Sequence, residues 1–171
     1  MQLGRLELNL TATHPPAPHA LSPGNLRLIG AHGGAGTSTL AVLLGGADDL
    51  GTTDHAPDSA QAPMVLVTRN TVGGSRRAVS AQYFLDRIGQ PVRVLAIVAD
   101  GFGEPRDATA RFRLLAARVA GVVRVPFMPT LRLTTDPALV PVPAKVRRAL
   151  DQIRLLAGAP VGATLPTARR P

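Results

Sequence analysis

The feature that most constrains this chain is a glycine-rich turn set between an apolar run and a short helix-forming segment. Leu26, Leu28 and Ile29 lead into Gly30-Ala31-His32-Gly33-Gly34-Ala35-Gly36-Thr37-Ser38-Thr39, and Leu40-Ala41-Val42-Leu43-Leu44 follows. Glycines let the backbone take positive φ and approach a ligand closely, so consecutive amide N–H groups can surround an anion. A strand, glycine turn and helix in this order make a phosphate cradle, and a hydroxyl at the helix start can hold Mg²⁺. The phosphate-binding candidates are therefore Gly33, Gly34, Ala35, Gly36, Thr37, Ser38 and Thr39, with Ser38 as the metal-facing hydroxyl. The competing dinucleotide fingerprint, Gly34-x-Gly36-x-x-Thr39, lacks its third glycine.

The rest of the chain alternates strand and helix signals. Met64-Val65-Leu66-Val67 reads as a buried strand, and Ala78, Ala81, Leu85 and Ile88 make a helical stripe closed by Gly89 and Pro91. Val92 to Ala99, almost continuously apolar, suits a parallel strand covered on both faces. A helix over about residues 106–120 buries Ala108, Phe112, Leu115 and Val119, a strand follows at Val122 to Val125, and a last helix uses Val146, Leu150, Ile153 and Ala157. The expected fold is a three-layer α/β domain over residues 25–157, a mostly parallel sheet of four or five strands with helices on both faces. In such folds ligands bind at the C-terminal ends of the strands, where residues 33–39 and Asp100 fall.

Outside that domain, Leu6, Leu8 and Leu10 alternate like a short strand, residues 11–24 read as a proline-rich linker, and residues 158–171 as a basic tail. Residues 47–62 read as a polar, mobile loop. With 171 residues the chain suits one domain, and without cysteine it has no disulfide, Cys-based zinc site or cysteine nucleophile. No run of about 18 to 20 apolar residues and no secretory leader is visible, so the expected location is the cytosol.

His32 to Ser38 resemble the deviant Walker A loop of the partition and septum-site ATPases, the ParA/MinD group of P-loop NTPases, whose pattern is Lys-Gly-Gly-x-Gly-Lys-Ser/Thr. The loop is also similar to that of short actinobacterial proteins carrying Gly-Ala-His-Gly-Gly-Ala-Gly. Val65-Leu66-Val67-Thr68, the helix after Gly74, Leu95 to Asp100, and Val125-Pro126-Phe127 follow the order of that group. The resemblance implies ATP or another nucleotide, with Mg²⁺, at the glycine loop and near the Val125-Pro126 strand end. His32 and Thr37 stand where the group has its two lysines, and residues 47–62 leave little room for its switch and Walker B segment. Losing one strong donor at the site of developing charge typically costs about 2.7 to 4 kcal/mol. The resemblance therefore implies a nucleotide- or anion-binding regulatory or adaptor protein with little or no hydrolysis, acting through a protein partner, with a homodimer open. A slow Mg²⁺-dependent ATPase is the alternative, and a protein with no bound cofactor at all is equally defensible.

Two side chains keep several readings. Asp100 can cap the turn at Gly101, contact a base in place of the group's asparagine, or orient Mg²⁺ opposite Ser38. His32 can meet a phosphate when protonated or act as a hydrogen-bonding spacer.

Charge divides the chain. Of 19 basic residues only Lys145 is lysine, and the formal net charge of +8 is carried by residues 101–171, with twelve basic and four acidic residues, whereas residues 1–100 balance at seven each. Arg106, Arg111, Arg113, Arg118, Arg147, Arg148 and Arg154 make up a candidate surface for nucleic acid or another polyanion, against the simpler reading of a solvated arginine surface.

Overall fold

A computed structural model describes residues 26–53 and 64–158. The suggested strand at Leu6 to Leu10, the linker and the basic tail beyond Gly158 lie outside them. Five strands form one sheet: β1 (Arg27–Gly30), β2 (Asp48–Thr52), β3 (Met64–Arg69), β4 (Val92–Val98) and β5 (Gly121–Val125). Their order is β2-β1-β3-β4-β5 and every pairing is parallel. Four helices connect or flank them: α1 (Thr37–Leu43), α2 (Val72–Arg87), α3 (Arg106–Ala116) and α4 (Ala144–Gly158), with 3-10 turns at Pro129–Leu133 and Pro137–Leu139.

The sheet residues alternate between two cores, as the period of two requires. Leu28, Val65, Val67, Val94 and Ala96 pack with Leu40, Ala41 and Leu44 around α1 and with Val146, Leu150 and Ile153 of α4. Ile29, Leu66, Leu95 and Ile97 pack on the other side with Ala78, Ala81 and Leu85 of α2 and Ala108, Phe112 and Leu115 of α3. This is the three-layer α/β architecture expected from the sequence, and it is consistent with a P-loop NTPase-like fold.

One expectation fails. Residues 47–62 contain no helical or alternating signal, yet Asp48–Thr52 forms β2, paired with β1 through Arg27↔Asp48, Leu28↔Asp49 and Gly30↔Thr52. Gly45 and Gly46, both at positive φ, end α1, and the Gly46 and Ala47 amides donate to the Ala41 carbonyl, turning the chain back. The Asp48 amide then reaches the Leu26 carbonyl at 2.9 Å and starts the ladder. An edge strand needs only backbone pairing on one side, and its charged, exposed side chains suit that position.

This strand order has its reversal between β1 and β3: the chain leaves β1 toward one edge and afterwards builds toward the other. The loops after β1 and β3 therefore diverge and leave a crevice between them. The glycine turn is the first of these loops.

Candidate functional site

The glycine turn owes its shape to two positive-φ residues, Gly34 at 76° and Gly36 at 92°, a conformation that costs a side-chain-bearing residue roughly 1–2 kcal/mol. Ala35 donates to the His32 carbonyl at 3.2 Å and Leu40 to the Gly36 carbonyl at 2.9 Å. The amides of Gly33, Gly34, Gly36, Thr37, Ser38 and Thr39 have no acceptor among the described residues. All six lie in the wall of one open cleft of about 430 Å³. That volume falls within the roughly 300–1,000 Å³ common for small-ligand pockets. Gly33, Gly34 and Ser38 are exposed there, while Ala35 and Thr37 are buried and belong to the cleft mainly through their backbone.

The same cleft is lined by Asp49, Gly51 and Thr52 of β2 and by Arg69 at the end of β3. None of these was singled out from the sequence. Arg69 Nε donates to the Gly34 carbonyl at 3.0 Å, which ties the strand end to the loop. Its two Nη groups have no acceptor among the described residues, so a cation with free donors stands beside the phosphate cradle. The one signal that could have found it is positional: it closes the strand next to the glycine strand, on the far side of the sheet's reversal. Asp49 Oδ1 accepts from the Gly51 amide at 3.0 Å, which leaves its other oxygen without a partner among the described residues.

Arg69 is held by the turn that follows it. Thr68 Oγ1 donates to the Gly74 carbonyl at 2.9 Å, and the Gly74 amide donates to Thr71 Oγ1 at 2.9 Å, capping α2. Gly74 approaches so closely that a Cβ there would sit 2.4 Å from the Arg69 carbonyl oxygen.

A second cleft, about 230 Å³, opens between the ends of β4 and β5 and the glycine turn. Its walls are chiefly apolar, including Leu43, Val98, Pro126, Phe127 and Leu131, and it shares Gly36, Thr39 and Arg69 with the first. The Arg132 guanidinium carbon lies 4.8 Å from the centre of the Phe127 ring, and its Nη2 donates to the Asp100 carbonyl at 3.2 Å. A polar, amide-lined cleft thus adjoins an apolar one across an arginine.

Asp100 lies in the wall of neither cleft. Its Oδ1 accepts from the Phe102 amide at 2.9 Å, the turn-capping role, and its own amide donates to Asn70 Oδ1 at 3.1 Å. Asn70 Nδ2 donates to the Phe102 carbonyl at 3.0 Å, so buried Asn70 pins the β4–α3 turn to the end of β3. His32 acts as a spacer within the loop: its Nδ1 lies 2.8 Å from the Gly33 carbonyl and is a donor there, and Nε2 is buried without a partner among the described residues.

The seven arginines proposed as one polyanion surface do not form one. Arg106, Arg111, Arg113 and Arg118 belong to the α2–α3 layer, whereas Arg147, Arg148 and Arg154 lie on α4 on the opposite side of the sheet. Sequence proximity after Asp100 concealed that β5 separates the two helices. Arg118 pairs with Asp86 at 3.1 Å and Arg154 with Asp151 at 2.9 Å, reducing their free charge further.

Compared with protein-family models, curated proteins and solved structures, the chain matches none. Among the described residues no helix is long and apolar enough to cross a membrane, and no group of three or more His, Cys, Asp or Glu is placed to hold a metal.

Proposed function

We propose that this chain is a diverged, shortened relative of the partition and septum-site ATPases that binds a nucleotide, or its phosphate portion alone, and works as a regulatory or adaptor protein with little or no hydrolysis. The observation that carries this reading is Arg69, common to both clefts. Phosphates would take the unpaired amides of residues 33–39 and the Arg69 Nη donors, and the nucleoside would lie against Phe127, Leu131 and Val98. Arg69 offers from β3 the positive charge that the loop lacks at His32 and Thr37.

Mg²⁺ fits only as an ion carried by the phosphates, because Asp49 is the one carboxylate in the cleft wall, beside hydroxyls such as that of Ser38, and no group of three or more His, Cys, Asp or Glu is placed to hold a metal among the described residues. Asp49, not Asp100, is the acid that shares a wall with Ser38, and this favours a second reading, a slow Mg²⁺-dependent ATPase using that pair. A regulatory nucleotide binder transmits its state to a protein partner, and such a partner belongs to the first reading.

Titration of the purified protein with fluorescent ATP, GTP and ADP, with and without Mg²⁺ and with tripolyphosphate as competitor, tests both. Binding that tripolyphosphate displaces, without measurable phosphate release, supports the regulatory reading. Phosphate release abolished by Ser38→Ala or Asp49→Asn favours the ATPase. No binding at millimolar nucleotide removes both.

A further inference from the structure

Arg132 stands in the wall of the apolar cleft and not in that of the amide-lined one. Its guanidinium is held from two directions. Nη2 donates to the Asp100 carbonyl at 3.2 Å, and the guanidinium carbon lies 4.8 Å from the centre of the Phe127 ring. Both partners are themselves fixed. Gly101, at a φ of 101°, approaches Phe127 so closely that a Cβ there would sit 3.1 Å from the ring. Buried Asn70 ties the same turn to the end of β3, through the Asp100 amide at 3.1 Å and the Phe102 carbonyl at 3.0 Å. Arg132 Nε and Nη1 have no acceptor among the described residues. A planar fork with unused donors therefore faces a cleft whose other walls are chiefly apolar, with Val98, Phe127 and Leu131 among them.

Given the nucleotide reading of the two clefts, on which this rests, we infer that Arg132 selects the base and that the base is guanine. A guanidinium offers donors and no acceptor. Guanine carries its carbonyl oxygen next to an imidazole-ring nitrogen, two acceptors that one arginine meets with two bonds, whereas adenine has an amino group in place of the carbonyl and turns a donor toward a donor. Covering Arg132 with a base that cannot accept leaves polar donors unpaired, so the wrong base is penalised as well as the right one rewarded. The phosphates have their own cation in Arg69, which lines both clefts, and Arg132 is left to the base. Asp100 lies in neither wall and its Oδ1 caps the Phe102 amide, so the base contact moves from that residue to Arg132, which the sequence does not single out.

The test is a competition titration of the full chain, loaded with a fluorescent guanosine triphosphate, against GTP, ITP, ATP, tripolyphosphate and the deaza-GTP in which CH replaces the imidazole-ring nitrogen beside the carbonyl. ITP keeps both acceptors and should match GTP within about twofold, while ATP and the deaza analogue should bind about tenfold more weakly. Arg132→Met should bring GTP down to the level of ATP, with the loss confined to GTP and ITP and tripolyphosphate within about twofold of the parent. Arg132→Lys should restore part of the preference, because an ammonium still donates to both acceptors without the rigid fork. Arg132 is exposed, and circular dichroism checks that each variant is folded. Equal affinity for GTP and ATP in the parent overturns the assignment of guanine, while binding that tripolyphosphate displaces keeps the nucleotide site. Equal losses for GTP, ATP and tripolyphosphate in Arg132→Met make that residue a phosphate ligand and overturn it too. Failure of every nucleotide and of tripolyphosphate to bind removes the nucleotide reading together with this one.

Discussion

Arg69 Nε donates to the carbonyl oxygen of Gly34 at 3.0 Å, so the end of β3 holds the glycine turn that follows β1. The bond crosses the point where the strand order reverses. It also orients the guanidinium so that one edge is used by the protein and the other remains available to an anion, the fork geometry that suits phosphate.

Replacing that guanidinium should separate binding from folding. Arg69→Gln is expected to weaken nucleotide or tripolyphosphate affinity about tenfold, or 1.4 kcal/mol, with the melting temperature changed little because Arg69 is partly exposed. Arg69→Lys should recover only part of the affinity, since a lysine cannot bond Gly34 and a phosphate through one rigid fork. Equal affinities for all three proteins in a fluorescence titration would remove Arg69 from the site.

Adjacent glycines of α2 should respond in opposite directions. A Cβ at Gly74 meets the Arg69 carbonyl at 2.4 Å, whereas a Cβ at Gly73 meets nothing within 4 Å. Gly74→Ala is expected to cost about 1–3 kcal/mol by overpacking and to weaken anion binding by displacing Arg69. Gly73→Ala should be neutral or stabilising by up to about 1 kcal/mol through helix propensity. Urea denaturation of the two variants measures the contrast.

Narrowing the apolar cleft should discriminate between the parts of a nucleotide. Ala99 lines that cleft and not the amide-lined one. Ala99→Leu should reduce affinity for ATP or GTP about tenfold or more while leaving tripolyphosphate within about twofold, a difference of roughly 1 kcal/mol or more between the ligands. Parallel loss for both would place the nucleoside elsewhere.

Acid stability should follow Glu104. Its carboxylate accepts from Arg124 Nη2 at 2.8 Å and Arg124 Nε at 3.0 Å, and from Thr109 Oγ1 at 2.8 Å. The hydrogen bonds from Arg124 hold it below the usual carboxylate range, and the same bonds raise Arg124. A carboxyl group depressed in the folded state stabilises above its unfolded pKa, about 4.3, and loses that contribution as pH falls through the lower folded value. Because the Arg124 side chain is more than half exposed, the pair is worth only about 1 kcal/mol. Glu104→Gln should therefore be less stable than the parent by about that amount at neutral pH, and the gap should close below about pH 4. A gap that persists unchanged at pH 3 in urea titrations contradicts this origin.

The amino-acid sequence determined the strands that are buried on both sides, because β3 and β4 are long apolar runs that can be satisfied only between two layers. It determined the glycine turn, since positive φ at Gly34 and Gly36 demands glycine whatever surrounds it. It determined α2, α3 and α4 through their apolar stripes, though α2 begins at Val72, two residues before Gly74, after which the sequence places it.

Tertiary structure decided the rest. β2 is held by backbone bonds to β1, and no side-chain pattern announces such a strand when one edge and most of its side chains face water. Arg69 and Asp49 became neighbours of the glycine turn only when β3 and β2 took their places on either side of β1, a long-range pairing that local sequence does not encode. The arginines of the basic half were divided in the same way, because the crossovers that pack α3 and α4 put them on opposite faces of one sheet.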